Sequence, residues 1–135
     1  MKNILYTFIF ALTLSISSHG AEKTTPTPLE IVKQRTLAHN THDIEKFINL
    51  YSEEIKIYDY PDNHIGKQGK AHMRRIFEPL FSEKAVHADV HQMIENGNHV
   101  VVHETVVREN KTTIYLAIYE IRDGLIHNVR FIRDR

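Results

Sequence analysis

Residues 55–81 change period half-way along, and that change constrains the fold more than any other feature of the chain. The first part alternates: Ile55, Ile57 and Asp59 share one face of a strand, and Lys56, Tyr58 and Tyr60 share the other. A carboxylate thus continues an apolar row, where strand residues usually point inward. Pro61, Asp62, Asn63 and the glycines Gly66 and Gly69 then break the pattern into a loop. After Gly69 the period becomes helical, with Met73, Ile76, Phe77, Leu80 and Phe81 on one stripe. A strand that buries an acid, followed by an amphipathic helix, forms the wall of a pocket. Ile57, Ile76, Phe77 and Phe81 are its candidate lining residues on this side.

The N-terminal stretch reads differently. Lys2 is followed by an apolar run over 4–16 and then by Ser17, Ser18, His19, Gly20 and Ala21. That order describes a signal peptide over 1–21, cleaved after Gly20 or Ala21. The run is short for a transmembrane span, and an uncleaved anchor is the competing reading. The chain has no cysteine, which excludes disulfides and a lipoprotein anchor. A small exported domain held by its core alone suits the periplasm or secretion. Residues 22–28, with two prolines, form a tether, and 29–135 has the size of one domain. Without Lys2 the chain carries 16 basic against 17 acidic side chains and no basic run, so nucleic acid is excluded as a partner. No membrane contact is expected after cleavage.

Taken in order, a first helix spans about 29–40, with Ile31, Val32, Arg35, Ala38 and His39 on one face. Asp43 opens a second helix whose stripe is Ile44, Phe47, Ile48 and Tyr51. Pro79 should kink or end the third helix. From Val86 onward the chain is all strand: Val86, Ala88, Val90 and Ile94 alternate with His87, Asp89, His91 and Met93. Turns follow at 95–98, 109–111 and Asp123-Gly124. Helices first and a long antiparallel meander afterwards predict an α+β fold, the sheet curled over the helices.

Four stretches, HNTHDIEKFINLYSEEIKIYDYP, VHADVHQMIENGNHVVVHE, AIYEIRDG and LIHNVRFIR, carry a family likeness. Together they resemble the SnoaL-like branch of the nuclear transport factor 2-like superfamily. The resemblance implies a cone-shaped, strongly curved, mixed or antiparallel sheet on three helices, enclosing an apolar pocket, and frequent homodimers. Its members include ketosteroid isomerases, polyketide cyclases, dehydratases, epoxide hydrolases and non-catalytic binders. Asp59 matches the general-base Asp of the isomerases, although Tyr60 intervenes before Pro61. The isomerase oxyanion donors depart: Arg35 stands where they carry Tyr, and Leu116 falls near their protonated Asp. Losing both donors argues against ketosteroid isomerase chemistry.

The candidate catalytic residues are Asp59, Arg35, His39 and His103. Desolvated Asp59 would take a proton from carbon beside a carbonyl; otherwise it caps the Pro61 turn. Arg35 and His39, one turn apart, converge on one ligand group, or Arg35 pairs with Asp59 or Glu104 as a structural ion pair. His103 shares its face with Val101 and Val107, as a core histidine or a second proton carrier. His87, Asp89 and His91 could ligate zinc, or lie on the outer sheet surface or in a dimer contact; no metal and no cofactor is assigned. One row of the fifth strand lines the cavity, for which Leu116 and Ile118 are taken; Val129 and Phe131 add the last strand. The chain therefore reads as a binder of a small apolar molecule and a homodimer. It is either a cofactor-independent isomerase or lyase, or a non-catalytic ligand-binding or interaction module. A third reading docks it through its sheet on a larger periplasmic partner.

Overall fold

The computed structural model describes residues 24–61, 63–64 and 68–134. The leader over 1–21 lies outside them, as do Asp62 and Gly66. Helix α1 (Pro28–Asn40) begins earlier than the tether reading allowed. Pro28 presets the first turn, and Thr27 and Glu30 form a reciprocal capping box. Asp43 caps α2 (Ile44–Asn49), its carboxylate accepting from the Lys46 backbone N–H at 3.0 Å. This helix stops before Tyr51, which opens β1 (Tyr51–Asp59) instead of closing a helical stripe. After the two-residue β2 (Asn63–His64), Gly69 at φ 100° feeds α3 (Lys70–Ser82). Left-handed backbone of this kind disfavours any residue with a side chain. Pro79 lies in the last turn of α3, which continues to Ser82.

Four long strands complete the chain: β3 (Val86–Asn96), β4 (His99–Arg108), β5 (Lys111–Arg122) and β6 (Leu125–Arg133). The sheet order is β2-β1-β6-β5-β4-β3, with β1 parallel to β6 and the other pairs antiparallel. Two of the three tight hairpins fall at Glu109-Asn110 and Asp123-Gly124, all four residues at positive φ, and the third at Gly97-Asn98. Register shifts in β1, β3 and at the β5–β6 pair bend the sheet, and the three helices pack in its concavity. The fold is α+β, a curved mixed sheet with three helices.

The bulge between Val90 and Gln92 reverses the alternation predicted for β3. Met93 turns inward opposite Val102, while Ile94 is exposed on the convex face. The hollow itself is filled. Phe47 lies 4.8 Å from Phe77, 5.1 Å from Tyr51 and 5.2 Å from Phe81, ring centre to ring centre. Where an apolar pocket was expected, an aromatic cluster stands.

On both sides of the sheet, side chains cover part of the outer strand's main chain. The Gln68 amide accepts from Ile57 N–H at 2.6 Å and donates to Ile57 C=O, and Gly69 N–H reaches Ile55 C=O. On the opposite edge Asn40 does the same for Ala88, accepting at 2.9 Å and donating at 2.8 Å. His42 donates to the neighbouring Val86 carbonyl.

Candidate functional site

Cross-strand register builds the concave face in rows. One row runs Asp59–Phe131–Ala117–Val102, and the next runs Arg133–Tyr115–Glu104. Each row has a charged end, and each acid faces an arginine. At the rim, Arg133 Nη2 lies 3.0 Å from Asp59 Oδ1, with both side chains partly exposed. Phe131 packs its ring 5.2 Å from Tyr115, and the Arg133 guanidinium lies 5.8 Å from the Tyr115 ring centre. A cleft of about 540 Å³ opens here, lined by Asp59, Tyr60, Pro61, Phe131, Arg133 and Asp134 among others.

The floor is different. Arg35 is 5 % exposed and Glu104 1 %, and their closest approach is 3.8 Å, between Nη1 and Oε2. Arg35 Nε donates to the Tyr51 hydroxyl at 3.1 Å, and its guanidinium sits over the rings of Tyr119 and Phe47 at 5.4 and 5.5 Å. Burial opposes the Arg35 charge, but Tyr119, Tyr51 and Glu104 together outweigh it, so its pKa moves up. Burial likewise pushes the Tyr119 and Tyr51 hydroxyls up. Both Glu104 oxygens, Arg35 Nη1 and the Tyr119 hydroxyl are buried without a hydrogen-bond partner. Such groups carry an uncompensated desolvation cost.

Of the residues selected from sequence, Asp59 and Phe131 come together at the rim, and Val129 and Ile57 lie one row behind. Arg35 pairs with Glu104, not Asp59. His39 is one turn away but does not join it. His39 is 2 % exposed, ringed by Phe47, Phe77 and Phe81, with Nδ1 3.0 Å from Asn40 Oδ1. Burial and the nearby Arg35 charge bring its pKa down to about 3, so it is neutral. Ile76, Phe77 and Phe81 pack into the core around it.

Three selected residues lie on the opposite face. His103, Leu116 and Ile118 sit in the convex rows, with Leu116 41 % exposed, and they cannot touch a ligand that touches Asp59 from inside. β4 is apolar on both faces, so Val101 and Val107 drew His103 into the wrong row. It stacks instead on His91, 4.9 Å away, and His91 is hydrogen-bonded with Thr105. His87 pairs with Asp89 at 3.2 Å on the same convex side. Among the described residues no three His, Cys, Asp or Glu side chains converge as a metal site.

Glu104 as a site residue, Arg133 and Tyr115 escaped selection. The signal for Glu104 was available: Val100, Val102, Glu104 and Val106 form an apolar row interrupted by an acid, as with Asp59. Another cleft lies between α1 and α2, and its two charges, Asp43 and Lys46, already pair at 3.1 Å.

Residues 33–129 match the SnoaL-like domain family. Among solved structures, a nuclear transport factor 2-like protein of unknown function from Cytophaga hutchinsonii is 22% identical, with a TM-score of 0.72 over 84% of this chain and 95% of its own. An epoxide hydrolase of the LEH-like type from M. tuberculosis is 14% identical, with a TM-score of 0.66 over 79% and 82%. A Kribbella flavida protein provisionally described as a ketosteroid isomerase is 16% identical, with a TM-score of 0.64 over 78% and 76%. These likenesses concern the fold. Comparison with curated proteins finds no match.

Proposed function

The chain belongs to the SnoaL-like domain family, and from that premise we propose that it is an exported binder of a small molecule. The ligand's apolar body lies against Phe131 and Tyr115, and its polar end engages Asp59 and Arg133. The observation that carries this reading is the rim cleft, where Phe131 and Pro61 meet a partly exposed ion pair. The leader pattern over 1–21 supports export to the periplasm or medium. Exposed Ile94, Ile114 and Leu116 support a homodimer closed through the convex face.

Native mass spectrometry of the mature protein, purified from the cells that export it, tests the binding reading. A co-purifying small molecule that Phe131→Ala no longer retains is the expected result. Retention by that variant, or a wild type that is empty and takes up nothing from a metabolite extract, removes the rim as the site.

The position of Asp59 favours a second reading, in which the rim also catalyses an isomerisation or elimination. Asp59 supplies a carboxylate for the general-base role, and the Arg133 guanidinium 3.0 Å away would stand beside a developing enolate oxygen. Arg35 is not the polarising group, since it is committed to Tyr51 and Glu104 beneath the floor. Asp59→Asn then abolishes turnover and leaves folding intact; wild-type turnover by that variant excludes the role.

A further inference from the structure

We propose that His91 and His103 form half of a metal site on the convex face, completed by the same pair from a second copy, and that it takes a divalent transition ion of the zinc class. This inference rests on the convex-face homodimer proposed above and names an ion that holds it together.

The bulge in β3 sets up the pair. It leaves His91 as the extra residue beside Gln92, whose direct partner across the strands is His103. The two rings have centres 4.9 Å apart and planes tilted by 58°. Zinc binds imidazole nitrogen at about 2.0–2.1 Å in a tetrahedron, so two imidazoles on one ion have ring centres about 5 Å apart. The observed spacing meets that requirement without a shift of either strand. His91 is also oriented: its Nε2 lies 2.8 Å from Thr105 Oγ1, which leaves Nδ1 for a metal. Asp89, paired with His87 at 3.2 Å, adds a carboxylate to the same face, where it favours a cation.

Two ligands leave a tetrahedral ion half bound, and among the described residues no third converges on the pair. The position of the pair shows where the rest would come from. His103 is the direct partner of Leu116, and that row lies between the rows Ile94–Val101–Ile118 and Thr105–Ile114. The imidazoles thus stand in the middle of the face whose exposed Ile94, Ile114 and Leu116 support the dimer. In a two-fold interface one patch meets itself, and residues beside the axis face their own counterparts. Closing this face without an ion buries imidazole nitrogens against apolar side chains, which is costly for unpartnered polar groups. One ion with four imidazole ligands removes that cost. Imidazole suits zinc, nickel and copper, whereas magnesium requires oxygen ligands.

The test uses untagged mature protein stripped with EDTA, with sedimentation velocity reading the dimer and native mass spectrometry counting the ions. Zinc should strengthen dimerisation by about tenfold or more, with one ion per two chains, and magnesium should leave it unchanged. His91→Ala and His103→Ala, both at exposed positions, should fold as the wild type does, and each should lose the zinc effect. A dimer indifferent to zinc overturns the metal site and leaves the homodimer standing. A protein that is monomeric with and without zinc overturns both. Zinc bound to single chains, or bound undiminished in both variants, is adventitious and overturns the shared site.

Discussion

The rim and the floor of the hollow each set a carboxylate against an arginine, and the two pairs have opposite characters. At the rim, Asp59 and Arg133 meet at 3.0 Å with water at hand. On the floor, Arg35 and Glu104 stand 3.8 Å apart with almost none. A close pair whose side chains both reach water contributes little, since the solvent already serves both charges. Poor geometry out of water matters greatly, because each charge depends on the other and on whatever else reaches it. The closer pair is therefore the expendable one.

The largest effect should come from breaking the floor. Glu104→Ala leaves Arg35 buried and unpaired and should lower the unfolding free energy by about 3–5 kcal/mol, read by urea denaturation. A loss below about 1 kcal/mol would erase the distinction between the two sites. Acid should act on the same side of the molecule. His39 is held well below its free value of 6.5, so the unfolded chain takes up the proton first. Its contribution is full above about pH 6.5 and is lost as pH falls towards 3, amounting to about 2 kcal/mol by pH 5. His39→Leu should flatten that part of the pH–stability curve; an unchanged slope would place the acid sensitivity elsewhere. Tyr119→Phe removes a buried hydroxyl that has no partner, and thermal unfolding should show no loss or a gain of about 1 kcal/mol. Smallest of all, Asp59→Asn should change stability by less than about 1 kcal/mol, and a larger loss would make the rim pair structural.

Much of this contrast was legible in the chain, but unevenly. The shift of period around Gly69 located both β1 and α3, and the turn residues at 109–110 and 123–124 delimited the meander. Asp59 was found because it interrupts an apolar row. Alternation says which residues share a face, but not which face is inside. β1 has one apolar row, so the choice was forced; β4 has two, and only tertiary packing shows that Glu104 points in and His103 out. The bulge in β3 defeated alternation altogether, because one extra residue exchanged Met93 and Ile94. Arg35 was recognised as sitting in an apolar stripe, and Glu104 was one of two partners considered. The ring of phenylalanines around His39, drawn from α2 and α3, had no local signature.

The amides of Gln68 and Asn40, set like false neighbours along β1 and β3, bear on what happens when copies of the chain meet. A sheet with two free borders is a template on which further chains can stack without limit. Here each border is closed locally by a residue that offers one acceptor and one donor and then no more. Crowded copies of the folded domain thus find no main chain to extend at those points.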